Sequence, residues 1–260
     1  PPAYFPADFI NEGVDQTRGW FFTLHAIATM IFDSVAFKNV ISTGLVLDAK
    51  GNKMSKHVGN VTNPFEMMEK YGADPVRFYM MTNSEPWDNL KFDPEGVDEV
   101  RRKFFGTLYN TYSFLALYAN VDGFDPETML NQGNLAERPE IDRWIISKAN
   151  SLIINVCKQL NDYDPTRAGR LIDNFVNDDL SNWYVRLNRK RFWGKEMDSD
   201  KLNAYQTLYS CLMTVAKLVA PFAPFYADRL YHDLGGKMES VHLESYPVAD
   251  TEAIDAELEA

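Results

Sequence analysis

The feature that most constrains the fold is a repeat of apolar residues at three- and four-residue spacing through the second half of the chain. It runs through four stretches, at residues 97–115, 141–160, 168–187 and 202–222. The repeat matches the 3.6-residue turn of an amphipathic helix. Asp164 and Pro165 suit the N-cap and first position of the third helix, and Pro221 should end the fourth. Four long helices with short links pack economically as an antiparallel bundle.

The aromatic residues of these helices are expected in the core rather than on a binding surface. In the third helix the repeat places one set of residues on the core face: Ala168, Leu171, Ile172, Phe175, Val176, Leu180, Trp183, Tyr184 and Leu187.

The first part of the chain has a different pattern, in which short strands alternate with a helix. Residues 7–10 form a short strand pattern, residues 17–32 an apolar helix, and residues 39–47 a β-branched segment typical of a buried strand. This alternation predicts part of a doubly wound α/β domain. The fold class is therefore mainly α, with an α/β remnant, a connector and an antiparallel helical bundle.

Two lysines bracket a serine directly after the predicted strand 39–47. Turn-forming residues 48–52 precede Lys53, Ser55 and Lys56. Ammonium groups on a glycine-containing turn at a strand end can stabilise phosphate charge. Most lysine pairs on turns are merely solvated, however, and charge and spacing alone favour that alternative.

Polar groups also follow the first strand. Glu12, Asp15 and Gln16 fall at its carboxyl end or in the first turn of the next helix, where open α/β sheets bind ligands. They could accept hydrogen bonds from a ribose hydroxyl or an α-ammonium group, and Trp20 could form an apolar wall. Alternatively, Glu12 and Asp15 cap the helix.

The third predicted helix ends in a basic segment. Ten residues without an acid contain Arg186, Arg189, Lys190, Arg191 and Lys195, and Phe192 and Trp193 lie among them. Cations beside exposed aromatic rings can neutralise phosphates and stack on unpaired bases. In a chain with a net charge of −11, the alternative is that these arginines bridge to acids elsewhere.

The composition excludes several classes of protein. No apolar run reaches the length of a membrane span, so no membrane association is expected. Cys157 and Cys211 lie within helical patterns without a nearby Cys or His at ligand spacing. We interpret both as core thiols, and we expect neither a disulfide nor a structural metal.

Several motifs resemble one enzyme family. Residues 53–57, Lys-Met-Ser-Lys-His, resemble the Lys-Met-Ser-Lys-Ser signature of class I aminoacyl-tRNA synthetases, from which His57 departs. Residues 6–21 resemble the adenylate-pocket segment of the isoleucyl-tRNA synthetase family, and residues 71–79 its helix-turn after the lysines. Further segments are similar to its anticodon-binding domain, at residues 180–193, 220–225 and 240–243.

The resemblance implies activation of isoleucine by ATP and transfer of the product to an isoleucine-accepting tRNA. ATP would be a substrate, used with Mg²⁺, and the protein would be a cytoplasmic monomer. The implied catalytic residues are Lys53 and Lys56. The implied ligand sites are Glu12, Gly13, Asp15, Gln16, Ser55 and Lys56 for ATP and adenylate, Trp20 for isoleucine, and Arg186, Arg189, Lys190, Arg191 and Trp193 for tRNA.

The family's second signature, His-x-Gly-His, is missing. The four histidines, His25, His57, His232 and His242, include no pair at that spacing. We therefore expect a piece of a larger synthetase that is inactive alone. It divides into a catalytic remnant (1–47), a lysine-loop connector (48–95), an anticodon-binding domain (96–250) and an acidic tail (251–260) that starts another helix.

Three alternatives remain open. The chain could come from a valyl- or leucyl-type synthetase. It could be another nucleotidyl-transferring enzyme of the superfamily, although the helical domain would then be unnecessary. It could also be a non-catalytic RNA-binding helical module, although Glu12, Asp15 and Gln16 would then have no role.

Overall fold

The computed structural model of the chain describes residues 4–130, 134–194 and 196–260, so Lys195 of the basic segment lies outside the described residues. The molecule is mostly helical, as predicted. In the described part of the chain, no helix is both long and apolar enough to cross a membrane.

The chain begins with a β-α-β unit. Strand β1 (Ala7–Gly13) is followed by a short 3₁₀ turn, Val14–Arg18, and by helix α1 (Trp20–Phe32). Strand β2 (Phe37–Thr43) returns parallel to β1, with Phe9 opposite Asn39 and Gly13 opposite Thr43. The two carboxyl ends therefore lie side by side, as the predicted α/β pattern requires.

The prediction of one buried strand over residues 39–47 is wrong. Strand β2 ends at Thr43, and a second strand, β3 (Val46–Leu47), pairs with β4 (Leu90–Lys91) instead of β1. Gly44 causes the break, because its backbone runs so close to Asp88 that a Cβ would lie 2.1 Å from the Asp88 carbonyl oxygen. In the described residues each of the two sheets consists of only two strands. Strand β2 is therefore not covered on all sides, and its Val40 side chain is 44% exposed.

Three short helices connect this region to the rest of the chain. They are α2 (Pro64–Tyr71), α3 (Ala73–Asn83) and α4 (Pro94–Val100). The Asn63 side chain caps α2, since it accepts a hydrogen bond of 3.0 Å from the Phe65 amide. Gly72, with φ of 92°, separates α2 from α3.

The remaining helices enclose the main apolar core. Asp164 caps α8 as predicted, since its Oδ1 accepts a 2.9 Å hydrogen bond from the Arg167 amide. Residues 175–185 continue α8 into α9 without a break, through wider π-helical turns. The elements are α5 (Gly106–Asp122), α6 (Pro126–Met129), α7 (Glu140–Asn161), α8 (Pro165–Asn174), α9 (Arg186–Trp193), α10 (Ser199–Val219), α11 (Pro224–Asp233) and α12 (Ala256–Glu259).

The predicted core face of the third helix is wrong at two positions. Trp183 is 59% exposed and Leu187 is 52% exposed, whereas Tyr184 and Asn188 are buried. A π-helical turn contains more residues than an α-helical turn, so the buried positions shift to a four-residue spacing after Leu180. Extrapolating the 3.6-residue period therefore fails here.

The acidic tail packs against α7. The Glu259 carboxylate accepts hydrogen bonds from the Ser147 and Ser151 hydroxyls, and the Asp255 amide donates to Ser147 over 2.7 Å. The predicted helical start in the tail is present as the single turn of α12.

Candidate functional site

The lysine loop, defined here as residues 48–60, begins as a tight turn. The Asp48 amide donates to the Asn52 carbonyl over 2.9 Å, and the Gly51 amide donates to the Asp48 carbonyl over 2.8 Å. Gly51 has φ of 83°, a left-handed conformation that favours glycine. Lys53 then pairs antiparallel with Leu47, which returns the chain beside β3.

Asn60 closes the lysine loop. Its Nδ2 donates to Asp48 Oδ2 over 2.9 Å and to the Lys53 carbonyl over 3.2 Å, and its Oδ1 accepts from the Ser55 amide over 2.9 Å. Hydrogen bonds from the Asn60 side chain and then from the Asn52 amide lower the pKa of Asp48 to about 2. Sequence reasoning missed Asn60, whose only local signal is an amide side chain at the end of a turn-rich segment.

Lys53 and Lys56 are both exposed, and among the described residues neither ammonium group forms an ion pair. Ser55 is used within the loop, because its Oγ accepts a 3.3 Å hydrogen bond from the His57 amide. The Ser55 carbonyl also accepts from the amides of Val58 and Gly59. Lys53 and Lys56 are thus two of three exposed lysines, with Lys50, that form no ion pair with a described residue, on a loop whose backbone is held internally.

The polar residues at the carboxyl end of β1 and in the turn after it are held by local hydrogen bonds. The Glu12 carboxylate accepts a 3.3 Å hydrogen bond from the Gly13 amide. Gln16 donates to Asp15 Oδ2 over 2.8 Å, and its Oε1 accepts from the Trp20 amide over 2.9 Å. Gln16, rather than Glu12 or Asp15, therefore binds the first amide of α1.

The two predicted ligand regions follow neighbouring parallel strands in the chain. Gly13 and Thr43 end the parallel strands β1 and β2 opposite each other, and the chain after Thr43 continues through β3 into the lysine loop. Within the described residues, no hydrogen bond or ion pair joins the loop to Glu12, Asp15 or Gln16. Trp20, at the start of α1, is 43% exposed.

The basic segment of α9 divides into exposed and buried members. Arg186, Arg189 and Lys190 are exposed and form no ion pair with any described residue, and Trp193 is 56% exposed. Phe192 is instead buried, at 1% exposure, against Phe114 and Tyr205. The exposed set, Arg186, Arg189, Lys190 and Trp193, is called the basic patch below.

Arg191 does not belong to that surface, which corrects the prediction that it lies with the other cations. Its side chain is only 14% exposed and forms ion pairs with Asp142 and Asp200. Here the alternative interpretation, that arginines of this segment bridge to acids elsewhere, is confirmed. The guanidinium is a fixed internal group and is not free to meet a ligand.

The described residues contain no group of three or more His, Cys, Asp or Glu side chains that could hold a metal ion. Cys157 and Cys211 are free thiols, and burial raises the pKa of Cys211 to about 12. These thiols therefore contribute to packing rather than to nucleophilic chemistry.

Two family models match the chain. Residues 2–93 match "tRNA synthetases class I (I, L, M and V)", and residues 142–260 match "Anticodon-binding domain of tRNA ligase". The lysine loop and the residues after β1 lie in the first match, and the basic patch lies in the second.

Curated relatives with high identity are isoleucine–tRNA ligases. The chain is 67% identical to that of Bacteroides thetaiotaomicron over 98% of its own length, and 67% identical to that of Porphyromonas gingivalis over 98%. The ligase of Dehalococcoides mccartyi is 51% identical over the same share. The chain spans about a fifth of the length of the first two relatives, 22% in each case.

Solved structures show the same fold at low sequence identity. The LeuRS–tRNA–LeuAMS ternary complex of Agrobacterium radiobacter K84 matches with a TM-score of 0.72 and 21% identity, over 97% of this chain and 30% of that one. Methionyl-tRNA synthetase of Mycobacterium tuberculosis, in complex with methionyl-adenylate, matches with a TM-score of 0.71 and 23% identity, over 87% and 44%. These structures show the fold, and the two family models together with the 67% identical relatives show that the chain belongs to the class I tRNA synthetases, as part of an isoleucine–tRNA ligase.

Proposed function

We propose that the chain is part of an isoleucine–tRNA ligase, in which isoleucine and ATP give isoleucyl-adenylate and pyrophosphate, and the isoleucyl group then passes to tRNA. The observation that carries this proposal is the 67% identity to isoleucine–tRNA ligases over 98% of the chain. It also favours isoleucine over the valyl- and leucyl-type alternatives. The neighbours described with methionyl-adenylate and with tRNA support adenylate and tRNA as ligands.

In this proposal Lys53 and Lys56 are the catalytic residues. When the isoleucine carboxylate attacks the α-phosphate of ATP, negative charge builds up on the departing pyrophosphate. Two unpaired ammonium groups on an internally held loop stabilise that charge without first breaking ion pairs of their own. Ser55 lies between them and can offer its hydroxyl to a phosphate oxygen.

Magnesium belongs to the substrate in this scheme. Mg²⁺ commonly binds through substrate phosphates with few protein ligands. We therefore assign ATP with Mg²⁺ as the substrate and no resident metal to this part of the protein.

The residues at the end of β1 and in the turn after it are proposed to bind the adenylate and the amino acid. Glu12 and Asp15 offer carboxylates to an α-ammonium group or ribose hydroxyls, and Gly13 ends β1 where a ligand can approach the backbone. Gln16 is fixed by Asp15 and α1, so its position is set before a ligand arrives. Trp20 supplies apolar surface for the isoleucine side chain.

The basic patch is proposed to bind the anticodon region of an isoleucine-accepting tRNA, with phosphates at the cations and an unpaired base on Trp193. We further propose that residues 1–47, 48–95 and 96–250 act as catalytic part, connector and anticodon-binding antiparallel bundle. The tail 251–260 packs on the bundle through α12. We propose a cytoplasmic monomer.

The test uses a chimera in which this chain replaces the matching segment of the Bacteroides thetaiotaomicron ligase. The chimera should catalyse isoleucine-dependent ATP–pyrophosphate exchange. Lys56→Ala should lower kcat by about 10²–10³-fold, by analogy with the loss of one oxyanion donor, while KM for isoleucine changes little. Lys50→Ala, which removes another exposed lysine of the loop, is the matched control. An inactive chimera, or equal effects of the two substitutions, would contradict the proposal.

A further inference from the structure

The carboxyl end of α3 is bound by side chains of α8. A helix leaves its last carbonyl groups without helical partners. Here the Thr166 hydroxyl lies 2.7 Å from the Met81 carbonyl oxygen and 3.0 Å from that of Ser84. Arg170 donates from Nε to the Thr82 carbonyl over 2.8 Å and from Nη2 to the Asn83 carbonyl over 3.1 Å. The four successive carbonyl groups of residues 81–84 are thus hydrogen-bonded by two side chains of α8, Thr166 and Arg170.

The backbone leaving this helix end leads directly to the lysine loop. After Ser84, the Pro86 carbonyl accepts a 3.0 Å hydrogen bond from the Gly44 amide, and Asn89 Oδ1 accepts a 2.8 Å hydrogen bond from the Leu45 amide. The Phe92 amide then donates to the Leu47 carbonyl over 2.9 Å, one residue before the loop begins. Residues 81–92 are therefore hydrogen-bonded at their start to α8 and further along to residues 44–47, which lead into the lysine loop.

The packing at this junction is close at α8 and open beside it. Gly169 lies between Thr166 and Arg170, and a Cβ there would be 2.6 Å from Thr82 Cγ2. Beside this contact is a cavity of about 530 Å³ whose lining includes Phe9, Tyr163 and Thr166. Thr166 thus lies between a close helix–helix contact and this cavity, with its hydroxyl on the end of α3.

We propose that Thr166 and Arg170 are positioning residues for the lysine loop. They fix the end of α3, the end of α3 fixes residues 84–92, and those residues fix β3, from which the loop emerges. This inference rests on the proposed function, since the loop needs an exact position only if Lys53 and Lys56 meet a phosphate. It also makes α8, which continues into the helix of the basic patch, the physical support of the loop.

Hydrogen exchange on this chain tests the connection without any activity. Thr166→Val keeps the shape of the side chain but removes the hydroxyl, and Thr166→Ser restores the hydroxyl. The valine variant should speed exchange of the amides in residues 45–60 by about tenfold, which the serine variant should largely reverse. Exchange that rises only within α8 and α3, or a serine variant no better than valine, would show that Thr166 is merely structural.

Arg170 is tested in the chimera, with Arg167→Ala as the matched control. Arg167 lies on the same helix and pairs with Asp164 instead of α3. Arg170→Ala should lower kcat for ATP–pyrophosphate exchange about tenfold with little change in KM for isoleucine, and Arg170→Lys should recover part of the loss. If Lys56→Ala impairs the chimera and Arg170→Ala does not, the positioning role is wrong. If Lys56→Ala has no effect, the proposed function itself fails.

Discussion

Arg191 and Asp142 form a two-pronged ion pair in the core, with Nη1 2.7 Å from Oδ1 and Nη2 2.8 Å from Oδ2. Asp142 is fully buried and also accepts a 2.7 Å hydrogen bond from the Tyr184 hydroxyl. Burial alone would lower the pKa of Arg191, but the hydrogen bonds and charge of Asp142 raise it overall. Burial and the same carboxylate raise the pKa of Tyr184, so a charged arginine and a neutral tyrosine share one acid.

Removing that acid should destabilise the protein strongly. Asp142→Ala leaves the Arg191 guanidinium without its buried partner and removes the closer acceptor of the Tyr184 hydroxyl, which keeps only the Ala204 carbonyl at 3.4 Å. Breaking a buried pair in this way costs about 3–5 kcal/mol, which denaturant unfolding of the chain would measure.

Asp200→Ala is the control, because Asp200 binds the same guanidinium with a side chain that is 51% exposed. We expect a cost of about 0–1 kcal/mol for this substitution. Equal losses from the two substitutions would mean that the buried part of the pair does not dominate.

Gly44→Ala should also destabilise the protein, by forcing apart two backbone segments. A Cβ at this position would meet the Asp88 carbonyl oxygen at 2.1 Å, and backbone cannot rotate away as a side chain can. Overpacking of this kind costs about 1–3 kcal/mol. Gly106→Ala, at the first residue of helix α5, is the matched control, because a Cβ there would lie 3.7 Å from its nearest neighbour, the Arg101 carbonyl oxygen. It should stabilise the chain by about 0.5–1 kcal/mol, and the two unfolding curves should move in opposite directions.

Local patterns explain what could be predicted from the sequence. The cap at Asp164 depends on an amide three positions away, so it could be predicted directly from the sequence. The apolar repeat also predicts the core face of α10 correctly, since Tyr205, Leu208 and Leu212 are fully buried. The lysines were recognisable because their motif is contiguous.

The errors all depend on distant partners or on unusual helical geometry. Gly44 breaks the predicted strand because of Asp88, 44 residues later in the chain, and Arg191 is buried because Asp142 lies 49 residues earlier. Trp183 is exposed because π-helical turns change the residue spacing, which propensities do not predict. Neither the pairing of Asn60 with Asp48 nor the contact of Arg170 with α3 has a signal in the local sequence.

The hydrogen bonds by which Asn60 closes the lysine loop should affect the pKa of Asp48. The lowered pKa of Asp48 means that its hydrogen bonds favour the carboxylate. Their stabilising effect is present above the ordinary value of 3.8 and is lost as the pH falls through the folded value of about 2. Asn60→Ala should therefore raise the pKa of Asp48 toward 3.8, as followed by the NMR shift of its carboxyl carbon.

Asn52→Ala provides the comparison for that titration. It removes a weaker side-chain hydrogen bond of 3.3 Å to Asp48 but keeps the 2.8 Å hydrogen bond from the backbone amide of residue 52. The pKa of Asp48 should rise less than in Asn60→Ala. A larger rise would show that the turn at residues 48–52, rather than Asn60, holds the loop.

The basic patch should bind tRNA through local charge, because the chain as a whole carries a net charge of −11. We expect weak, salt-sensitive binding of this chain to a tRNA with an isoleucine anticodon, and the double substitution Arg189→Glu and Lys190→Glu should abolish it. Each phosphate contact contributes about 0.7–0.9 to the slope of log K against log salt concentration, so single substitutions should flatten that slope by about one unit.

The control reverses two exposed lysines elsewhere, Lys158→Glu with Lys237→Glu, and so changes the net charge by the same amount. Helical circular dichroism should be unchanged in both double variants, because Arg189 and Lys190 have no ion-pair partners among the described residues. If both variants lose affinity equally, only the net charge matters. If neither does, the tRNA contact lies on another face of the helices, because Arg191 is already held by Asp142 and Asp200 and cannot replace the exposed cations.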